Sequence, residues 1–481
     1  MRESVIFGDE SISFMRHMMQ VFGLRPAVAN LRVEILVQPT QLDAEINSRA
    51  LQGNVVMAIL PSHAFCQALG VDVVSTPAFG DADLDCTVPL LCAAKLRTLH
   101  PSLRFHGQGE PVIVDHDSRT AWLFVPKGAG GVLLVGTSVI ADIIRYRQGD
   151  PLAERPREAV WDIAGERPIY LFEKQILGLP RYQERQADFW AVICAGFLSA
   201  KLRIPLLAVL PGGVDGAVVL TGDDDQAQLE KYGEQLKLIG STPITYFLHP
   251  LTRHTSDTLN RMLRRYQVDL GIHPDALEEP QNYTNLLHQQ CAWFEGLTTR
   301  RANSVRNHGF LNDGYWGHLK PWIDEKIHIS SNIPGLDGRA LNGSLLPARV
   351  YAGGSLTNHW SVVTAIGDGV RYVNGGKSDV ESANCIFDLA DAIRQSGIPG
   401  VMVLNFHPQN VSDTRAMHLA ALEVIRSGFI GWNMRDCLDW FADGLTRPRG
   451  GFFQRTFERM LPRGLYTARR TSGSTFKNRV S

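Results

Sequence analysis

From about residue 168 to 445, short apolar runs alternate with amphipathic segments in a regular order. The apolar runs predict buried strands of a parallel sheet, and the segments between them predict helices. The predicted strands are Gly216–Thr221, Ile244–Leu248, Val268–Ile272, Asn303–Arg306, Ile327–Ser331, Gly400–Phe406 and Phe429–Trp432. The predicted helices are Gln226–Leu238, Ser256–Tyr266, Tyr283–Thr298, Trp316–Glu325, Thr414–Arg426 and Met434–Phe441. Repeated βαβ units with right-handed crossovers predict a (β/α) barrel, and the Gly-rich stretch 335–375 reads as an insertion.

Residues 1 to about 165 follow a second pattern, in which short strand-like runs come after a helix-like segment. The helix is predicted near Ser11–Phe22, and the strands are predicted at Val55–Leu60, Val112–Val114, Ala121–Val125 and Val132–Val135. This pattern predicts a smaller α/β domain, flavodoxin-like or amidotransferase-like. The segment around Cys66 lacks the glycines of a nucleophile elbow, so we expect an accessory role without glutaminase chemistry.

Composition and charge add a third region, at the C-terminus. The 481-residue chain has 44% hydrophobic residues and a formal net charge of −1, as expected of a globular protein of several domains that does not coat nucleic acid. The segment 447–481 differs, with nine basic residues against the single acid Glu458. We therefore divide the chain into an α/β domain (1–165), a barrel (166–446) and a basic amphipathic tail (447–481). The tail, with its phenylalanines, predicts peripheral contact with anionic lipid headgroups.

Three features of the sequence indicate the compartment: acidic residues near the start, interruptions of the most apolar region, and the cysteine pattern. Acidic residues appear in the first ten positions, and the apolar region Trp190 to Leu210 is broken by charges and a proline. The seven cysteines form no C-x-x-C pair. We expect a cytoplasmic protein in a reducing compartment, with a peripheral position at the inner face of the membrane.

Acids and histidines follow the predicted barrel strands at their carboxyl ends. They are Asp223, Asp224 and Asp225 after the first strand, His249 and His273 after the next two, His308 just behind the fourth, and His407 after Gly400–Phe406. Because the carboxyl ends of parallel barrel strands converge on one mouth, these side chains predict a divalent metal site. Zinc, iron, cobalt and manganese all suit such ligands. The alternative interpretation makes each histidine a surface or capping residue and the acids a helix cap.

Four segments of the barrel resemble the motifs of the NodB-type polysaccharide deacetylases, carbohydrate esterase family four. The segment Val218–Asp225 stands where the family has a strand ending Thr-Phe-Asp-Asp-Gly. Leu270–Pro274 is similar to the motif with the metal-binding histidine, and Val305-Arg306 to the motif that places an arginine beside the base. Val401–His407 is similar to the last motif, an apolar strand that ends in the general acid. The resemblance covers about 210 to 445 and implies a distorted (β/α) barrel.

The resemblance also implies the acid–base residues. It makes Asp223 the catalytic base, Arg306 its neighbour and His407 the general acid. Hydrolysis would need a water activated near neutral pH and a proton for the leaving sugar amine.

The metal ligands implied by the resemblance are Asp224 and His273. The family's second histidine is replaced by Leu277, so we assign the third ligand to His308, on the pattern of a divergent branch with His-Pro in its second motif. His288 and His249 remain alternatives for that ligand. The implied cofactor is a divalent metal, with zinc expected first and iron, cobalt or manganese as alternatives.

These assignments predict a metal-dependent N-deacetylase. Its expected substrate is an N-acetylated sugar or lipid-linked glycan of a bacterial surface polysaccharide, lipopolysaccharide or precursor, and no nucleic-acid partner is expected. The alternatives are a hydrolase of another non-peptide C–N bond and a barrel that binds glycans without turnover. Trp316 and Trp360 are expected in the core, with stacking on a sugar ring as the alternative for whichever lies near the mouth. The number of subunits stays open, a homo-oligomer included.

Overall fold

The computed structural model describes residues 10–24, 32–75, 83–86, 95–149, 184–312, 315–335 and 343–444. The tail 447–481 lies outside these residues, and so do residues 150–183, which include the predicted domain boundary at 165. The division at 165 and 446, and the membrane contact of the tail, therefore stay sequence predictions. Within the described part of the chain, no helix combines the length and the apolar character that a membrane crossing requires.

Twelve helices and eighteen strands organise the described residues. The helices are α1 (Glu10–Val21), α2 (Ala44–Leu51), α3 (His63–Gln67), α4 (Val139–Gln148), α5 (Gln186–Leu202), α6 (Leu229–Ile239), α7 (Ser256–Arg265), α8 (Tyr283–Thr298), α9 (Leu319–Asp324), α10 (Asp379–Ser396), α11 (Arg415–Arg426) and α12 (Met434–Gly444). The N-terminal strands are β1 (Val33–Val37), β2 (Val55–Ile59), β3 (Val71–Ser75), β4 (Asp83–Cys86), β5 (Lys95–Arg97), β6 (Leu103–Gly107), β7 (Glu110–Asp115), β8 (Thr120–Lys127) and β9 (Gly130–Val135). The C-terminal strands are β10 (Gly216–Asp223), β11 (Ile244–Leu248), β12 (Val268–Ile272), β13 (Ser304–Val305), β14 (Ile329–Pro334), β15 (Ala348–Ala352), β16 (Ser355–Gly367), β17 (Gly400–Asn405) and β18 (Phe429–Trp432).

The C-terminal half is a closed barrel of seven parallel strands. Their order is β11-β12-β13-β14-β16-β17-β10, and β10 also pairs with β11, which closes the ring. The remaining strands are additions, because β18 pairs along β10 and β15 pairs antiparallel with β16. The predicted (β/α) barrel is confirmed, and its strand ends meet at one mouth as the alternation of strands and helices implied.

The barrel strand β16 lies inside the stretch 335–375 that the sequence suggested was an insertion. Its first four residues are partly exposed and pair with β15 across a turn at Gly353 and Gly354, both of which have positive φ. Its last nine residues are buried and pair in parallel with β14 and β17, while Trp360 and Ser361 among them also pair with β15. The strand belongs to a hairpin at its start and to the barrel at its end, so its apolar pattern changes midway. For this reason the sequence pattern did not show it as one barrel strand.

The N-terminal residues form a second sheet of nine strands. Only β1, β2 and β9 pair in parallel, and the other pairings are antiparallel. Short connections such as the hairpin at Lys127–Gly130 allow no parallel crossover, which needs a dozen or more residues. The smaller α/β domain is therefore a mixed sheet, whereas flavodoxin-like sheets are parallel.

Helix α5 joins the two sheets in one hydrophobic core. Twelve of its residues are buried, and Trp190 stacks on Trp122 of the N-terminal sheet with ring centroids 5.5 Å apart. The same core continues to Ala217 and Val401, at the amino ends of barrel strands. The N-terminal sheet thus packs toward the strand starts, and the carboxyl ends of the barrel strands remain for the site.

Candidate metal and acid–base site

The first element of the site is Asp223, the last residue of β10. Its Oδ1 lies 2.9 Å from Nη1 of Arg306, and its Oδ2 accepts a hydrogen bond of 2.8 Å from Nδ2 of Asn405. The carboxylate is buried, and burial opposes its ionisation. The guanidinium of Arg306 and the nearby imidazoles outweigh burial and hold the pKa of Asp223 below its usual range. Asp223 is therefore a fixed, ionised carboxylate.

Arg306, which follows β13, is fully buried and bonded on every side. Besides Asp223, its guanidinium donates to the hydroxyls of Thr221 and Thr364 at 3.0 and 3.1 Å. It also donates to the backbone oxygen and the hydroxyl of Ser331 at 3.0 and 3.2 Å. These acceptors come from β10, β14 and β16, so closing the barrel brings them around one cation. A buried arginine with this many partners fixes the carboxylate that it faces.

Asp224, which the resemblance made a metal ligand with His273 and His308, has other partners in the structure. The side chain of Asp224 points to the other side of the strand end, where it accepts hydrogen bonds from the hydroxyl of Tyr232 at 2.5 Å and the backbone of His249 at 3.3 Å. The physical reason is that side chains alternate along an extended chain. The carboxylate that accompanies the two histidines belongs to the following residue, Asp225.

Asp225, His273 and His308 form a group whose ligand atoms lie within 4.8 Å of one another. Oδ1 of Asp225 is 3.2 Å from Nε2 of His273 and 3.8 Å from Nε2 of His308. The same Oδ1 is buried and has no hydrogen-bond partner. Asp225 adopts the left-handed backbone at φ 38° that turns its side chain to this point.

The two imidazoles present the nitrogen that a metal requires. Nδ1 of His273 lies 2.6 Å from the backbone oxygen of Arg306, and Nδ1 of His308 lies 3.3 Å from Oδ1 of Asp275. Both neighbours are acceptors, so a neutral ring that keeps its proton on Nδ1 would present the lone pair of Nε2 to the space beside Asp225. An orphaned carboxylate oxygen and two such nitrogens fit a divalent ion of the zinc type.

His407, which follows β17, is paired with Asp368 at the end of β16. Nδ1 of His407 lies 2.5 Å from Oδ1 of Asp368, a carboxylate that also accepts from three other donors, the backbones of His407 and Gly369 and the side chain of Asn410. Burial lowers the pKa of His407, but Asp368 and the other carboxylates outweigh it and raise the pKa to about 10. Nε2 faces Asp225 at 3.4 Å and Asp223 at 3.7 Å. The structure thus places a protonated imidazole at the mouth.

The alternatives for the third ligand lie elsewhere. His288 is on α8, has an exposed side chain, and pairs with Glu325 at 2.8 Å. His249 is buried behind His308 and belongs to a second group with Asp275, in which its Nε2 lies 3.1 Å from Oδ2 of Asp275.

The structure brings together Asp223, Asp225, Arg306, His273, His308 and His407, which the sequence analysis had named, and it adds Asp275 and Asp368. The sequence placed Asp225 among three acids after the first strand but did not show that it is the acid that faces the histidines. Asp368 had no signal while β16 was read as an insertion.

Three other side chains singled out in the sequence contribute packing. Trp360 is buried against His17, with ring centroids 5.1 Å apart, and Trp316 donates to the backbone oxygen of Gln148 at 3.4 Å. Cys66 is buried on α3, and burial raises the pKa of its thiol to about 12.

Solved structures similar to this chain include a pseudoenzyme of family CE4 and proteins assigned as polysaccharide deacetylases. A protein from Mycobacterium smegmatis assigned to that group is 15% identical, with 52% of this chain and 96% of that chain covered at a TM-score of 0.39. One from Bordetella bronchiseptica, assigned as a deacetylase involved in O-antigen biosynthesis, is 21% identical, with 49% and 93% covered at 0.32. A pseudoenzyme of family CE4 from Bacillus anthracis is 12% identical, with 46% and 65% covered at 0.31. No family profile and no curated protein matches the chain.

Proposed function

We propose that this chain is a metal-dependent deacetylase that removes the acetyl group from an N-acetylated sugar. The observation that carries the proposal is the arrangement at the mouth of the barrel. The candidate metal group Asp225, His273 and His308 lies beside an ionised carboxylate, Asp223, and a protonated imidazole, His407. Amide hydrolysis needs these three functions within reach of one carbonyl carbon.

Asp225, His273 and His308 are the residues that would hold the ion, with zinc expected first and iron, cobalt or manganese as alternatives. A divalent ion supplies Lewis acidity, which polarises an acyl carbonyl and makes water more acidic. Three protein ligands are typical of catalytic sites, since positions for water and substrate stay open.

Asp223 is proposed as the general base. Its two oxygens are fixed by Arg306 and Asn405, and its lowered pKa keeps it ionised near neutral pH. It accepts a proton from the water whose oxygen attacks the acyl carbon. The guanidinium stays as the counter-charge that keeps this carboxylate in place.

His407 is proposed as the general acid. Asp368 holds its Nδ1, so Nε2 is the nitrogen that faces the mouth. When the C–N bond breaks, the leaving nitrogen takes the proton from Nε2, and acetate and a free amine are released. General acid catalysis of this kind contributes about 100- to 10,000-fold.

The substrate proposal is a bacterial surface polysaccharide, a lipopolysaccharide or a precursor of either. A lipid-linked glycan and a peripheral position at the inner face of the membrane rest on the sequence of the tail 447–481 alone. The competing functions are hydrolysis of another non-peptide C–N bond, such as the bond to an N-formyl group, and glycan binding without turnover. Each of them gives a different result in the test below.

The test uses the purified full chain loaded with zinc and three variants. Asp225→Ala is expected to lose bound zinc and turnover, whereas His407→Ala is expected to keep zinc and lose about 100- to 10,000-fold in turnover. Glu230→Gln, which changes an exposed carboxylate on the neighbouring helix α6, is the control and is expected to behave as the wild type. Zinc content is measured by elemental analysis, and acetate, formate and ammonia release are measured on N-acetylated and N-formylated oligosaccharides.

The outcomes separate the candidates. Acetate release that disappears in both active-site variants supports the proposal, whereas formate or ammonia release supports the other hydrolase. Wild-type protein that contains no zinc after loading and releases no product, yet binds the oligosaccharides, is a glycan-binding barrel. Full activity in Asp225→Ala contradicts the metal site.

A further inference from the structure

Behind the candidate metal group, one carboxylate contacts two imidazoles at once. Oδ2 of Asp275 lies 3.1 Å from Nε2 of His249, and its Oδ1 lies 3.3 Å from Nδ1 of His308. The carboxyl is itself held in place, because Gln290 of α8 bonds both the backbone N–H and the backbone oxygen of Asp275 at 3.0 and 2.7 Å. The carboxylate therefore offers one acceptor oxygen to each of the two imidazoles.

The bonds of His249 show that it supports Asp275 and does not bind a second ion. Its Nδ1 accepts a hydrogen bond of 3.1 Å from the backbone N–H of Leu251. A neutral ring that accepts at Nδ1 carries its proton at Nε2, and Nε2 is the nitrogen that faces Asp275. His249 therefore donates to the carboxylate and offers no lone pair there.

His308 is the candidate ligand that needs such support. His273 is buried with 2% of its side chain exposed and is bonded to a backbone oxygen, whereas 31% of the His308 side chain is exposed. His308 begins a tight turn in which Gly309 and Phe310 have positive φ. Among the described residues, Asp275 is the acceptor that faces Nδ1 of His308.

We propose that Asp275 is a positioning residue that sets the tautomer and the orientation of His308, with His249 holding Asp275 in turn. The proposal rests on the proposed function, because it assumes that His308 is a metal ligand. It explains how this chain keeps a third ligand although Leu277 occupies the position four residues after His273. An outer carboxylate of this kind fixes the ring of a metal-binding histidine and raises its basicity.

The experiment measures zinc affinity in the full chain by competition with a chromophoric chelator. Asp275→Ala is expected to bind zinc about 10- to 100-fold more weakly than the wild type, still at one ion per chain. Asp275→Asn keeps the shape and one acceptor oxygen, so a smaller loss is expected. The control is Glu278→Ala, an exposed carboxylate in the same loop, which is expected to leave the affinity unchanged.

Two further measurements distinguish positioning from a general loss of structure. The metal-free melting temperatures of wild type and Asp275→Asn are compared, and cobalt(II) absorption spectra report the ligand geometry of the loaded proteins. A changed cobalt spectrum with an unchanged metal-free melting temperature supports the proposal. If Asp275→Ala does not fold, Asp275→Asn decides.

The failures of the two proposals are distinguishable. Wild-type protein that does not bind zinc overturns the metal site and this inference together. Wild-type zinc affinity in both Asp275 variants overturns the inference alone. Binding of two ions, one of which is lost in Asp275→Ala, would make Asp275 a ligand of its own site and would also overturn the positioning role.

Discussion

At the scale of single residues, three consecutive acids have three different surroundings. Asp223 is paired with Arg306, Asp224 accepts from Tyr232, and Asp225 faces the imidazoles. Asp223 and Asp225 point into the mouth, whereas Asp224 is buried behind it. Their chemistry therefore differs although their side chains are identical, because the backbone aims each one at a different partner.

This difference predicts that two matched substitutions change different properties, zinc affinity in one case and the free energy of unfolding in the other. Asp225→Asn removes a charged ligand atom, so zinc affinity should fall more than the roughly 100-fold that loss of an outer partner can cost. Asp224→Asn should bind zinc within about 3-fold of wild type, since a ligand role is absent, and should lose about 1–3 kcal/mol of unfolding free energy. The loss arises because the new amide group faces the backbone N–H of His249, a donor. Chelator competition and urea unfolding measure the two effects, and a reversed pattern would return the ligand role to Asp224.

The sequence motif identified the segment with the three acids, but it did not determine which of these acids faces the histidines. The resemblance aligned Asp224 with the ligand of the family motif, because the segment has acids at three positions in a row. Which acid turns inward depends on where β10 ends and on the positive φ of Asp225. The backbone conformation at this position follows from the closed barrel and cannot be predicted from the residue type alone.

At the scale of elements, the helix α5 has no polar face because both its sides are covered. Trp190 stacks on Trp122 and donates to the backbone oxygen of Arg97 at 3.1 Å. Apolar side chains on all sides are typical of a helix buried in a core. In the sequence, this run is an apolar region broken by charges and a proline, and its two neighbours could not be identified from it.

Because α5 shares one hydrophobic core with both sheets, a cavity there should weaken the molecule as a unit. Trp190→Ala is expected to lower the unfolding free energy by about 3–5 kcal/mol, through lost burial and an empty volume beside Trp122. Lys201→Ala, on the same helix, removes an ion pair with Glu110 and a cation–π contact with Phe124 at 4.3 Å, and it should cost at most about 2 kcal/mol. Urea unfolding followed by circular dichroism compares them. Two separate transitions in Trp190→Ala, with the barrel unaffected, would contradict the shared core.

The strand β16 shows why one element escaped prediction. Pairing of its first residues with β15 gives them the partial exposure of a hairpin, and pairing of its last residues with β14 and β17 buries them. The change from a partly exposed to a buried pattern within one strand is what the sequence pattern did not show. The omission had a cost at the site, since Asp368 directly follows this strand and holds His407.

At the scale of the whole molecule, several histidines are buried away from the site and are neutral. Burial lowers the pKa of His17 and of His318 to about 3, and that of His359 to about 4. Each is hydrogen-bonded in its neutral form, as when His359 receives a hydrogen bond from the hydroxyl of Ser330 at 2.9 Å. The unfolded chain binds protons at these positions near pH 6.5, and the folded chain does not. Their burial therefore makes the folded state less stable as the pH falls below about 6.5.

His359 offers a direct test of this linkage, because it lies on β16 apart from the candidate ligands. Its folded pKa is depressed to about 4, so its contribution is constant above about pH 6.5 and is lost as the pH falls toward 4. The slope is about 1.4 kcal/mol per pH unit for one proton.

His359→Gln should be less stable than wild type at pH 7.5, because Gln fits the hydrogen bonds to Ile327 and Ser330 less well. The difference between the two proteins should then shrink by about 2 kcal/mol between pH 6.5 and 5, since the variant has no proton to take up on unfolding. Urea unfolding at a series of pH values measures both curves, and curves that stay parallel across this range would show that folding does not lower the pKa of His359.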